Sequence, residues 1–120
     1  MSDRPLKLFL VDQDPIFRLG LRVALEQVPN VQVVSEAETD TAALQILAEL
    51  AQKDPLQVNL VVLELVNGRS SSQQLGLQFC RQLKAQYPNL PVLLLSWVQE
   101  PGLLLAARAA GVDGYCPKGT

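Results

Sequence analysis

Two hydrophobic periodicities alternate along the chain, and together they predict a repeated strand–helix unit. Short apolar runs predict β-strands, and longer stretches with an apolar residue every three or four positions predict helices. The predicted strands are residues 6–11, 31–37, 60–66, 92–95 and 114–116. The apolar repeats that predict helices lie in residues 17–28, 43–51, 75–87 and 103–110. A helix is therefore expected after each of the first four strands.

Nearly continuous apolar strands separated by helices are typical of a parallel sheet that is covered on both faces. Because crossovers between parallel strands are right-handed, this order predicts a doubly wound α/β sandwich. We predict one domain over residues 1–120. The polar segment 67–74 (NGRSSSQQ) is predicted to be a solvated loop.

Composition excludes several classes of function. The net charge is −2 and no basic residues cluster, which argues against direct contact with nucleic acid. No apolar stretch approaches the roughly 18 residues of a membrane span. The chain has no His, the commonest general base and metal ligand. Cys80 and Cys116 are too few for a zinc site or a disulfide framework, so a reduced, cytoplasmic location is expected.

Polar residues stand where four of the predicted strands end. They are Asp12, Glu64, Ser96 and, beyond the fifth strand, Lys118. In open parallel sheets the chemistry lies at the carboxyl ends of the strands, so we expect the fold to bring these residues together. The turn after the first strand, Val-Asp-Gln-Asp-Pro, lacks the glycines that cradle phosphate in dinucleotide, Walker-type and flavin sites.

Five motifs follow one another in a specific order and spacing. They are VDQDPIFRLGL (11–21), VVSEA (33–37), NLVVLEL (59–65), PVLLLS (91–96) and AGVDGYCPK (110–118). With these motifs the chain resembles the receiver domains of bacterial two-component response regulators, which are CheY-like. It is most similar to the NarL/LuxR-type subgroup, which carries a DNA-binding domain behind the receiver. The resemblance implies a flavodoxin-like sheet of order 2-1-3-4-5. The family's fifth helix has no counterpart in this chain, which we interpret as an N-terminal fragment of a longer protein.

The resemblance also implies a mechanism. In the family, an Asp that ends the third strand accepts a phosphoryl group from a histidine kinase, with Mg²⁺ held by that Asp and by an acidic pair after the first strand. A Ser or Thr and a Lys then contact the phosphoryl oxygens, and an aromatic side chain changes rotamer. The matching positions here are Glu64 for the phosphoacceptor, Asp12 for the acidic pair, Ser96, Lys118 and, for the aromatic, Tyr115.

The departures from this pattern fall on the phosphoacceptor and the metal ligands. Glu64 replaces the phosphoacceptor Asp, and Gln13 supplies a neutral amide where Mg²⁺ prefers a carboxylate. Asp14 either completes the acidic pocket or caps the first helix, since Asp before Pro15 is a favourable helix start. We therefore expect no cofactor, and at most weak Mg²⁺ binding at a degraded site that contains Asp12 and Glu64.

Each candidate also has a purely structural interpretation. Asp12 could accept hydrogen bonds from loop amides, and Ser96 could bond the backbone. Tyr115 could be an aromatic at the edge of the core, and Lys118 an ordinary surface lysine. Glu64 is harder to explain in this way, because an unpaired carboxylate is costly to bury in an apolar strand.

The sequence thus predicts a non-enzymatic pseudo-receiver that acts through protein–protein contacts. Glu64 and Lys118 are expected to form a charge-assisted contact, with Asp12 close by, that biases the switch without phosphate. Two alternatives remain: a working phosphoryl-accepting receiver that controls an attached DNA-binding domain, and a purely architectural α/β module.

The fourth predicted helix, residues 102–110, has Arg108 as its only charge. The residues taken to face inward are Leu104, Ala107 and Ala110. Helical spacing then places Leu105 and Ala109 outward, where polar residues are usual. The surface of this helix and the fifth strand is therefore predicted to dock a protein partner, an attached effector domain or a second copy in a homodimer. The alternative is a slightly apolar surface helix. Apolar surface on the first helix and the fifth strand is also expected to be uncovered.

Overall fold

Strands and helices alternate throughout the described part of the computed structural model, which comprises residues 5–52, 57–64, 70–96 and 101–117. The elements are β1 (Leu6–Val11), α1 (Pro15–Glu26), β2 (Val31–Ala37), α2 (Asp40–Leu50), β3 (Leu60–Glu64), α3 (Ser70–Gln86), β4 (Val92–Ser96), α4 (Pro101–Ala109) and β5 (Gly114–Pro117). The strands form one parallel sheet of order β2-β1-β3-β4-β5. The predicted flavodoxin-like order is confirmed.

The chain divides into two compact units, of which the first ends at Val61. In this unit β1 pairs with β2, and the register shifts by one residue between Leu8 and Phe9. Residues 8–11 of β1 are all buried, and α2 contributes the fully buried side chains of Ala43 and Leu47. Burial of this apolar surface is the main source of stability in such a unit.

The second unit contains most of β3, together with α3, β4, α4 and β5. Its β4 pairs with β5 in parallel, from Leu93 opposite Gly114 to Ser96 opposite Pro117. The buried side chains of the described part of its helices are Leu77, Phe79, Cys80, Leu83 and Ala107. Cys80 is buried, and Cys116 is partly exposed.

Helix starts follow from local chemistry. Asp14 precedes Pro15, and its Oδ1 accepts hydrogen bonds from the amides of Ile16 and Phe17 at 3.0 and 3.2 Å. Thr39 caps α2 in the same way, because its Oγ1 accepts the Ala42 amide at 3.1 Å. Such caps satisfy amides that have no partner within the helix.

The predicted loop at residues 67–74 is wrong in its second half. Helix α3 begins at Ser70, five residues before the start predicted from apolar spacing, so residues 70–74 are helical. Apolar periodicity marks only the part of a helix that has an apolar face, and Gln is a good helix former. Residues 67–69 lie outside the described residues, as do the last two of the strand predicted over 60–66.

A group of polar contacts, here called the clamp around Lys84, lies at the amino-terminal end of β4. The carboxylate of Asp113 accepts hydrogen bonds from the Val92 amide at 2.8 Å and from the Lys84 ammonium at 2.9 Å. The same ammonium donates to the Leu90 carbonyl at 3.0 Å, and the Asp113 amide donates to the Val92 carbonyl at 2.9 Å. Lys84 thereby ties α3 to the segments that enter β4 and β5.

Two opposing effects act on the pKa of Asp113. Burial acts to raise it, but the hydrogen bonds from Lys84 and Val92, with the Lys84 charge, hold the pKa below its usual value. The ionised Asp113 carboxylate therefore stabilises the folded protein fully above the usual carboxyl pKa. This contribution to the free energy of unfolding is lost as the pH falls through the lowered pKa of Asp113.

Candidate functional site

Asp12 follows directly after β1 and is held on both sides of its backbone. Its amide donates to the Ala37 carbonyl of β2 at 3.1 Å, and its carbonyl accepts a hydrogen bond from the Arg18 guanidinium. The side chain is buried, and its Oδ1 accepts the Asp14 amide at 2.8 Å. Both the backbone and the carboxylate of Asp12 are thus hydrogen-bonded.

The next two residues are exposed. Gln13 presents an amide and no negative charge. Asp14 uses its carboxylate to cap α1, so the capping interpretation of this residue is confirmed. In this turn, Asp12 is therefore followed by a neutral amide and then by a carboxylate that caps a helix.

Glu64 and Ser96 are the last residues of β3 and β4, both in the second unit. Ser96 is fully buried, whereas Glu64 is partly exposed with its Oε2 atom buried. A carboxylate oxygen in such a position needs a polar environment, because desolvation of an isolated charge is costly.

The β4–β5 register determines where the switch residues lie. Tyr115 is opposite Leu94 and is half-buried, and Pro117 is opposite Ser96. Lys118 follows Pro117 but lies outside the described residues, so the predicted contact between Lys118 and Glu64 stays a prediction.

The turn after β1 can be compared with the ligands that Mg²⁺ requires. Receiver domains in general bind Mg²⁺ at the phosphorylation site, and this ion requires oxygen ligands in near-octahedral geometry. Within the described ranges, no three Asp, Glu, Cys or His side chains cluster in a way that could hold a metal ion. Gln13 is neutral, and the Asp14 carboxylate is engaged at the start of α1.

Sequence reasoning missed an ion-pair network beside Asp12. Arg18 of α1 donates through Nε to Glu36 Oε1 of β2 at 3.0 Å, and Arg22 donates through Nη1 to Glu36 Oε2 at 2.8 Å. The available signal is that Arg18 and Glu36 both lie within the motifs quoted above, one in VDQDPIFRLGL and the other in VVSEA.

Comparison with protein families decides the assignment. The model of the response regulator receiver domain matches residues 8–120. The chain belongs to the response regulator receiver family. Receiver domains of this family are signalling modules of two-component systems.

Two curated relatives show how far the likeness extends. The chain is 37% identical to a Ycf55-like protein of a Synechocystis species, over the whole of this chain and 20% of that protein. It is 26% identical to the transcriptional regulatory protein RcsB of Escherichia coli, over 94% of this chain and 49% of RcsB. The chain thus spans a fifth to a half of the length of these relatives.

Solved receiver structures are similar to this chain. A response regulator of the LuxR family from an Aurantimonas species superposes with a TM-score of 0.81 at 26% identity, over 97% of this chain and 76% of that one. The receiver domain of NarL from Mycobacterium tuberculosis gives a TM-score of 0.78 at 26% identity, over 98% and 86%. The isolated receiver domain of RcsB from Salmonella enterica, at 24% identity, supports the fold with a TM-score of 0.80 over 98% and 80%.

No helix within the described ranges is both long enough and apolar enough to cross a membrane.

Proposed function

We propose that this receiver domain is a pseudo-receiver, which transmits a signal through protein–protein contacts without an aspartyl-phosphate cycle. The observation that carries the proposal is that Glu64 ends β3, at what we propose to be the family's phosphoacceptor position. Its carboxylate is one methylene farther from the backbone than that of Asp. The longer side chain places the negative charge closer to where the phosphoryl group lies in a phosphorylated receiver domain.

In this proposal the permanent charge of Glu64 replaces a transient one. A carboxylate carries a charge of about −1, whereas a phosphorylated side chain carries about −1.5 to −2, so the mimicry is partial. Lys118 is the proposed partner of Glu64 and Asp12, because neighbouring acids without a cation repel each other. Ser96 and Tyr115 keep the positions of the phosphate contact and the switch aromatic.

Mg²⁺ has no catalytic part in this proposal. In this proposal Asp12 and Glu64 are the remaining acidic positions of the family's metal site, and Asp14 serves as the cap of α1. Hard cations favour short, correctly placed carboxylates, so binding is expected to be weak.

A working phosphoryl-accepting receiver is the second candidate. Ser96, Tyr115 and Lys118 favour it, since all three match the family pattern. The attached output would then be a DNA-binding domain, as the similarity to the transcriptional regulator RcsB suggests. In either case we place the domain in the cytoplasm, as part of a longer protein. A purely architectural module would leave the matched residues without a role.

The first test is titration with beryllofluoride and millimolar Mg²⁺, followed by the emission of Trp97, the only tryptophan and the neighbour of Ser96. The pseudo-receiver predicts no saturable change, because Glu64 does not place an oxygen where the complex forms on Asp. Saturable quenching would support the working receiver instead.

The proposed docking surface is formed by α4 and β5. Ala107 and Ala110 are buried, and Leu105 is 70% exposed beside the exposed Arg108 and Ala109, as the spacing predicted. The side chain of Leu104, which was also predicted to face inward, lies outside the described residues. A large exposed apolar side chain at the centre of a contact contributes about 1.5–3 kcal/mol when it is buried.

Leu105→Glu is expected to weaken self-association, or binding to an effector segment of the same protein, about tenfold or more. Sedimentation equilibrium measures the effect, and the melting temperature should stay unchanged. Gln45→Glu on α2 adds the same charge at another exposed helical position and serves as the control. Equal association of the wild-type protein and both variants would favour an ordinary surface helix.

A further inference from the structure

The guanidinium of Arg18 connects three parts of the first unit. Its Nη1 donates to the backbone carbonyl of Asp12, and its Nε donates to Glu36 on β2. The Arg18 side chain is only 17% exposed, so these contacts are partly shielded from water. Charge-assisted hydrogen bonds in such a setting are stronger than those between neutral groups.

Glu36 fixes the orientation of this guanidinium. One carboxylate oxygen accepts Arg18 Nε at 3.0 Å and the other accepts Arg22 Nη1 at 2.8 Å. Both arginines lie on α1, one turn apart, so the carboxylate is held between two cations. Glu36 on β2 thereby fixes the plane of the Arg18 guanidinium.

The Asp12 carbonyl lies where the chain leaves the sheet. The Asp12 amide is still bonded to β2, through the Ala37 carbonyl at 3.1 Å. The Arg18 guanidinium donates to the carbonyl of the same residue, and the Asp14 amide donates to its Oδ1 at 2.8 Å. The backbone rotation that would redirect the carboxylate would have to break one of these bonds.

We propose that Arg18 is a positioning residue for Asp12, with Glu36 as its anchor. The pair sets the direction of the Asp12 carboxylate at the end of β1. The functional meaning rests on the proposed function, in which Asp12 belongs to the receiver pocket. Arginine suits this task because its planar fork donates in two fixed directions at once, whereas a lysine ammonium is a single compact donor group.

The network also contains a matched control. Arg22 pairs with Glu36 and, at 3.5 Å, with Glu26, and neither contact reaches Asp12. If the network only joins α1 to β2, loss of either arginine should have similar effects. If Arg18 positions Asp12, only its replacement should alter the turn.

The test compares Arg18→Gln, Arg18→Lys and Arg22→Gln by NMR on the whole chain. We expect Arg18→Gln to speed hydrogen exchange of the Asp14 amide about tenfold relative to strand amides such as that of Leu10, since one hydrogen bond to a charged group is lost. The side-chain carboxyl ¹³C shift of Asp12 should move as well. Arg18→Lys should act in the same direction, which covers the case in which the Gln variant does not fold. Arg22→Gln should leave both signals unchanged.

A second readout measures the consequence for binding. In a Gln13→Asp/Glu64→Asp background, Arg18→Gln is expected to lower Mg²⁺ affinity about tenfold, because a misdirected ligand no longer meets the geometry that the ion requires. Arg22→Gln in the same background is the control.

Three results overturn the proposal: an unchanged Asp14 amide and Asp12 carboxyl signal in both Arg18 variants, equal acceleration at all amides of the unit, or the same change in Arg22→Gln. If the two local signals move but the doubly substituted background binds no Mg²⁺, the positioning role is supported and the proposed function of the pocket fails.

Discussion

Replacement of Glu64 by Asp together with Gln13 by Asp is expected to strengthen Mg²⁺ binding, which we propose to be weak in the wild-type domain. The first change shortens by one methylene the acidic side chain that ends β3, and the second adds a carboxylate next to Asp12 in the sequence. A unit charge about 4 Å from an ion contributes about 1–4 kcal/mol in partly exposed sites, so affinity should rise about tenfold or more. Titration with Mg²⁺, followed by Trp97 emission, measures the change.

The single variants and a cap variant make this result specific. Glu64→Asp and Gln13→Asp alone should each give a smaller gain than the pair. Asp14→Asn in the doubly substituted protein should change affinity little, because Asn caps a helix as well as Asp does. If the wild-type domain binds Mg²⁺ as tightly as the double variant, the inferred loss of the metal site is wrong.

Gly111→Ala is expected to lower the free energy of unfolding by about 2–3 kcal/mol, or the melting temperature by about 10 °C. Gly111 has a φ of +99°, which side chains rarely allow. An added Cβ would lie 2.9 Å from Lys84 Cγ. Lys84 cannot retreat without weakening its hydrogen bonds to Asp113 and Leu90.

The contrasting variant is Gly20→Ala on α1. Apart from its chain neighbours and the backbone of its own helix, no heavy atom lies within 4 Å of a Cβ at this position. Because Gly20 is helical, the change should stabilise the domain by about 0.5–1 kcal/mol. Thermal melts of both variants test the pair. Equal melting temperatures for Gly111→Ala and the wild-type protein would show that the clamp around Lys84 tolerates the extra carbon.

The strands could be predicted closely because their apolar runs have clear ends. The bounds of β1 and β2 agree with the sequence prediction, and Asp14 followed by Pro15 predicted the start of α1. The start of α3 could not be predicted from apolar spacing, because its first five residues are Ser and Gln and include no apolar side chain.

The ion pairs depend on the tertiary structure. Arg18 and Glu36 are 18 positions apart, and Lys84 and Asp113 are 29 apart. Each pair forms only after a helix has packed against the strand or turn that carries its partner, so neither local propensity nor periodicity reveals it. Ile16, Leu19 and Val23 on α1 are exposed, in keeping with the uncovered apolar surface expected on the first helix.

The most direct test of the pseudo-receiver proposal is the intact mass of the wild-type domain after incubation with a small phosphodonor, such as acetyl phosphate, and Mg²⁺. We predict that the mass stays unchanged, while the Gln13→Asp/Glu64→Asp variant gains one phosphoryl group under the same conditions. A wild-type domain that gains one phosphoryl group at Glu64 would contradict the proposal and identify a working receiver.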